Sequence, residues 1–144
     1  MALQRIRTQA EYDAELAESI RDPEGYWSAL AEQFTWQRKW DTTLAWDFEK
    51  PDVKWFIGGR LNITENCLDR HLKERGDKLA IIWEPNDPKE RFVRLTYREL
   101  YERVCQYANV LKRNGAKKGD RICIYMPMVP ELVIATLACA RIGA

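Results

Sequence analysis

Cys67 and His71 stand four residues apart, a spacing that would place a thiol and an imidazole on one face of a helix. Such a pair can act as an activated nucleophile when a third group orients the base. No acid stands at an orienting position, and His71, the single histidine of the chain, is read as a core or surface residue. None of Cys67, Cys105, Cys123 and Cys139 forms a Cys-x-x-Cys pair, and no metal site is expected. Gly58-Gly59-Arg60 lacks the long glycine spacing and the Lys-Ser/Thr ending of a phosphate loop, so it is read as a turn. Lys117-Lys118 before Gly119-Asp120 could greet a phosphate, but lysines commonly decorate exposed turns and a solvated turn is expected. Trp36, Trp40, Trp46 and Trp55, with Phe48 and Phe56, could form a stacking platform for sugars or bases. Such platforms come with a charged groove, and here the signs are mixed. Packing anchors are the reading preferred. No catalytic, cofactor-binding or metal-binding residue is assigned.

The elements that would position any site follow from composition and period. A chain of 144 residues, 46% hydrophobic and 31% charged, can bury a core and is neither disordered nor membrane-spanning. A net charge of +1 gives no argument for a nucleic-acid partner. The first 19 residues have no apolar segment with a cleavage site, so no secretory signal is read there. Three of the four cysteines have apolar neighbours. Buried, reduced thiols are expected, and with them a cytoplasmic location.

Thr8 and Glu11 have capping-box spacing, which predicts a helix over 8–20 with Tyr12, Leu16 and Ile20 on one face. Asp22-Pro23-Glu24 opens a second helix with a stripe of Tyr26, Trp27, Leu30 and Phe34. Residues 35–56 show no clean period and are read as an irregular segment strapped down by the aromatics. Asn62 or Thr64 caps a helix running to Arg75, with Cys67, Leu68 and Leu72 inward. Residues 79–83 and 91–95 read as an antiparallel hairpin around Pro85-Asn86-Asp87-Pro88. Thr96 and Glu99 form a second capping box, opening a helix that buries Leu100, Val104, Ala108 and Leu111 and stops at Gly115.

Residues 121–126, Arg-Ile-Cys-Ile-Tyr-Met, have the profile of a strand covered on both faces. Pro130 then opens a helix ending at Gly143. Its only polar positions are Glu131, Thr136 and Arg141, so it should be buried all round inside a larger core. The chain is therefore expected to be a fragment, cut where another strand should begin.

Several stretches resemble the acetyl-coenzyme A synthetase family of adenylate-forming enzymes. They are Trp55-Phe56 with Gly58-Gly59 and Leu61-Asn62, residues 62–72 (NITENCLDRHL), residues 95–100 (LTYREL), Gly119-Asp120-Arg121, residues 125–131 (YMPMVPE) and residues 138–144 (ACARIGA). Propionyl- and acetoacetyl-CoA synthetases share much of this organisation, with NCLDRHL and ACARIGA nearer the acetyl enzymes. The resemblance implies an incomplete α/β fold. Residues 1–70 would be the family's N-terminal helical and irregular region. Residues 71–144 would be the first hairpin, helix and βα unit of the AMP-binding, adenylate-forming domain. It also implies a parent ligase that uses ATP, Mg²⁺ and CoA. Acetate or another short-chain carboxylate attacks the α-phosphate of ATP, and the CoA thiol then displaces AMP. The family's Ser/Thr/Gly-rich loop, catalytic lysine and Phe-Gly-Gly segment are not found here, the last being expected just past Ala144. The chain alone is expected to be inactive, structural within the parent, prone to self-association, and without nucleic-acid or membrane partners. The alternative is a free-standing interaction or assembly module built on the same scaffold.

Overall fold

The computed structural model describes residues 6–144, which divide into two compact units, one up to Leu61 and one over Asn62–Ala144. In the first unit, helix α1 (Gln9–Arg21) begins with the expected capping box. The Thr8 hydroxyl accepts from the Glu11 N–H at 3.2 Å, and the Glu11 carboxylate accepts from the Thr8 N–H at 3.1 Å. Asp22 ends α1 and caps α2 (Pro23–Ala31), its carboxylate accepting from the Gly25 N–H at 3.0 Å. Phe34 lies beyond the end of α2 and is exposed, so the predicted stripe stops at Leu30.

Residues 35–56 are not irregular throughout, which corrects the reading from sequence. They hold strands β1 (Thr42–Asp47) and β2 (Asp52–Ile57), paired antiparallel with Leu44 opposite Trp55 and Trp46 opposite Val53. The period of two was masked because large aromatics occupy both faces of the hairpin. Trp55 meets Trp27 of α2 at 6.2 Å between ring centroids. Phe56, one residue on, meets Trp36 at 5.5 Å and Trp40 at 5.2 Å. The cluster holds Phe56 at φ +49°, a left-handed conformation that costs a bulky residue about 1–2 kcal/mol. Trp36, Trp40 and Phe56 are half-buried and pack on one another, while Trp46, Phe48 and Trp55 stay exposed.

The second unit opens with a helix in pieces, not one helix from Asn62 to Arg75. Helix α3 (Ile63–Cys67) breaks at Leu68, a 3-10 turn covers Asp69–His71, and α4 (Leu72–Arg75) follows. The break sends Leu68 inward, where it is 2% exposed, while Cys67 turns to solvent. Strands β3 (Leu79–Trp83) and β4 (Val93–Thr96) form the expected hairpin, with Ile81 opposite Leu95 and Trp83 opposite Val93. The second capping box is also present, and it opens α5 (Tyr97–Arg113). The hydrogen bonds from the Thr96 backbone and side chain hold the Glu99 carboxyl below its ordinary pKa. Leu100, Val104 and Ala108 of α5 are buried as expected.

Helix α6 (Pro130–Ile142) starts with proline in its first turn and stops at Gly143, whose φ of +78° suits glycine at a helix C-terminus. It packs Ile134 and Ala138 into a core shared with Leu68, Leu95, Leu100, Val104 and Ala108. It is not buried on all sides. Glu131, Val133 and Thr136 are exposed, and the main packing partners of α6 are α5 and α3. The predicted strand 121–126 is not formed either. A strand is defined by pairing, and the two sheets here, β1–β2 and β3–β4, leave this segment without a neighbour. Ile122 and Ile124 are half-buried, while Tyr125 is fully exposed. The expectation of buried thiols is corrected as well. Cys139 is buried and Cys105 half-buried, but Cys67 and Cys123 are exposed, and all four are free.

Candidate functional site

Cys67, His71 and the Gly58-Gly59 turn lie in different surroundings. The break at Leu68 leaves Cys67 exposed and turns His71 toward the ring of Tyr97, 5.7 Å away. Arg70 donates to His71 Nε2 at 3.4 Å. Burial, then the nearby guanidiniums of Arg70 and Arg75, push the His71 pKa below 6.5, so the neutral ring is the form that fits. The space over Gly58 is filled by side chains. A Cβ there would collide with the Asp41 carboxylate and the Arg38 guanidinium. Arg38 grips Asp41 through two hydrogen bonds of 2.8 and 2.9 Å and also donates to the Gly58 carbonyl, so this turn offers a phosphate no cradle. Among the described residues no three of His, Cys, Asp and Glu come together. No reaction step is assigned to these residues.

The structure does bring together a bracket of polar residues between α3 and the end of α6. Asn62 faces both ways. Its side-chain oxygen caps α3, accepting from the Thr64 N–H at 2.9 Å, and its amide donates to the carbonyls of Arg141 at 3.0 Å and Ala140 at 3.4 Å. One side chain thus satisfies open backbone groups at the start of one helix and the end of another. Arg141 reaches back from α6 and grips Asp69 in a two-pronged pair of 2.8 and 2.9 Å, with a third bond of 3.3 Å to the Thr64 hydroxyl. Its guanidinium also lies 4.9 Å from the centre of the Tyr101 ring on α5. The bond to Asp69 raises the Arg141 pKa above its already high value, so the cation is permanent. Tyr101 is pushed up in turn, chiefly by its hydrogen bond to Cys105. Thr64 and Asn66 lie inside this bracket at 0% and 3% exposure. Sequence reasoning singled out both stretches, 62–72 and 138–144, but not the contact between them. Arg141 on an otherwise apolar helix was the one signal that could have suggested it.

Comparison with known proteins places the chain in a class and then in a branch of it. The family model described as AMP-binding enzyme matches residues 68–144, more than half of the chain, and the chain belongs to that family. Residues 12–67 match the model described as Acetyl-coenzyme A synthetase N-terminus, so the chain corresponds to the N-terminal part of acetyl-coenzyme A synthetases. It is 56% identical over 135 residues to the acetyl-coenzyme A synthetase of Halorhodospira halophila, an alignment covering 93% of this chain and 21% of that protein. It is 50% identical over 137 residues to the one from Bdellovibrio bacteriovorus, covering 94% and 21%. A solved structure, acetoacetyl-CoA synthetase from Streptomyces lividans, superposes with a TM-score of 0.79 at 29% identity, covering 88% of this chain and 19% of that one. The chain therefore spans about a fifth of the length of the relatives it matches.

Two outcomes test the bracket. Asp69→Ala leaves a guanidinium only 22% exposed without its carboxylate, and should cost about 2 kcal/mol of stability, between the values for surface and fully buried pairs. Arg141→Ala should cost a similar amount and the double variant little more, read as urea midpoints in a double-mutant cycle. His71 gives a pH signature. Its folded pKa lies below its unfolded one, so the unfolded state binds more protons between the two. Its contribution to stability is complete above about pH 6.5 and falls as pH drops through the folded pKa. His71→Gln should remove that part of the slope in urea midpoints measured at several pH values.

Proposed function

We propose that this chain is the structural N-terminal part of an AMP-forming acetate–CoA ligase. The parent would join acetate, or another short-chain carboxylate, to CoA in two steps, using ATP and Mg²⁺ and releasing pyrophosphate and AMP. Within it, residues 1–70 would wrap the large domain and residues 71–144 would open it. The observation that supports this reading most directly is where the family-like residues are spent. Asn62, Thr64, Asp69 and Arg141 all bond to one another or to backbone. That is what a supporting element does for a reaction whose charge develops on phosphates held elsewhere. The compartment proposed is the cytoplasm, in keeping with four free cysteines. No helix of the described residues is long and apolar enough to cross a membrane.

The test is pyrophosphate release. A longer reading frame containing these residues should release pyrophosphate from ATP in an acetate-dependent way, and residues 1–144 alone should release none. Release by the short chain, or none by the long one, overturns the proposal.

A second reading, a free-standing assembly module, draws support from the unpaired segment 121–126 and its exposed neighbours. Tyr125, Met128 and Ile82 are 101%, 81% and 63% exposed. Under either reading the isolated chain should self-associate through this surface. Analytical ultracentrifugation should show mass growing with concentration, and a monomer throughout would refute it.

A further inference from the structure

The geometry points to a site for a small polyanion, a molecule carrying two or more phosphate-type charges, in the cleft between the C-terminal ends of α5 and α6. This cleft is open to solvent and holds about 560 Å³, within the range of small-molecule sites. Its polar lining is Asn109 and Lys112 from α5, Lys117 and Lys118 from the following loop, and Arg141 from α6, with the half-buried Cys105 thiol on one wall. In sequence, Lys117-Lys118 looks like an ordinary solvated turn. The fold changes this by bringing Lys112 and the end of α6 to the same concavity.

Several contacts shape the cleft and leave its charge unbalanced. The Gly119 N–H donates to the Gly143 carbonyl at 2.8 Å, tying the lysine loop to the end of α6. Gly119 and Gly143 both hold positive φ, +89° and +78°, which lets the two backbones meet. The nearby Asp120 carboxylate accepts from the Lys117 N–H at 2.7 Å and does not line the cleft. Arg141 is already matched by Asp69. Lys112, Lys117 and Lys118 make no ion pair among the described residues, and no carboxylate lines the cleft. Three lysines from two elements thus line one concavity with no carboxylate among its lining residues. Two joined phosphates would engage more of them at once than a single phosphate could. This inference does not depend on the acetate–CoA ligase reading.

The test uses inorganic pyrophosphate as the probe, without divalent metal, on the 144-residue chain. Titration calorimetry should show saturable binding of one equivalent that weakens with added salt. Inorganic phosphate should bind more weakly. Lys112→Gln, Lys117→Gln and Lys118→Gln together should weaken pyrophosphate binding by about tenfold or more. Removing the same charge at Lys73, Lys78 and Lys89 should leave it unchanged. All six lysines are exposed, so both variants should fold. Equal loss in the two variants would mean that only net charge matters, and would overturn the proposal, as would binding that does not saturate. A second readout is alkylation by iodoacetamide. Pyrophosphate should slow modification of Cys105 several-fold while Cys67 and Cys123 react as before. Unchanged Cys105 reactivity at saturating pyrophosphate overturns the site as placed.

Discussion

The second unit depends on the pair between Arg141 and Asp69. α6 packs on the core through Ile134, Leu137, Ala138 and Ile142, and such apolar burial is not directional. A guanidinium fixed by two parallel bonds has far less freedom. Arg141 sets the rotation of α6 and the position of its last turn. Asn62, bonded to the carbonyls of that same turn, sets how closely the start of α3 approaches it.

Other features of the unit follow from that constraint. With the end of α6 held, the core residues Ile134 and Ala138 meet Val104 and Ala108 of α5 at a defined register. Leu68 points into the same core while Asp69, the next residue, reaches Arg141. The break at Leu68, with φ −120° and ψ −65°, exposes Cys67 and turns His71 toward Tyr97. Within residues 62–72, Asn62, Thr64, Asn66 and Asp69 bond to protein groups, while Cys67 and Arg70 are exposed.

The first unit is organised by different physics. Its hairpin is held by aromatic rings on both faces and by Arg38, which bridges Asp41 and the turn at Gly58. The same arrangement blocks the glycine pair from cradling an anion. Rings that supply buried area and rings that supply a stacking surface look alike in sequence. Here Trp36, Trp40 and Phe56 contact one another and are half-buried, as packing requires.

Local signals in the sequence were enough for the ends of α1, α5 and α6, for the β3–β4 hairpin and for the buried stripe of α5. Caps, prolines, glycines and a 3.6-residue period act within a few residues, so they can be read without knowing the rest of the fold. The family likeness was legible for the same reason, as runs such as NCLDRHL and ACARIGA. Three things were decided only by tertiary structure. The β1–β2 hairpin needed pairing that its aromatics concealed. Residues 121–126 have strand composition, but a strand exists only with a neighbour to bond. The meeting of Asn62 and Asp69 with Arg141, and of Lys112 with Lys117 and Lys118, joins residues far apart in sequence or on separate elements. A one-dimensional pattern carries no distance between such residues, and it was the packing of α3, α5 and α6 that supplied it.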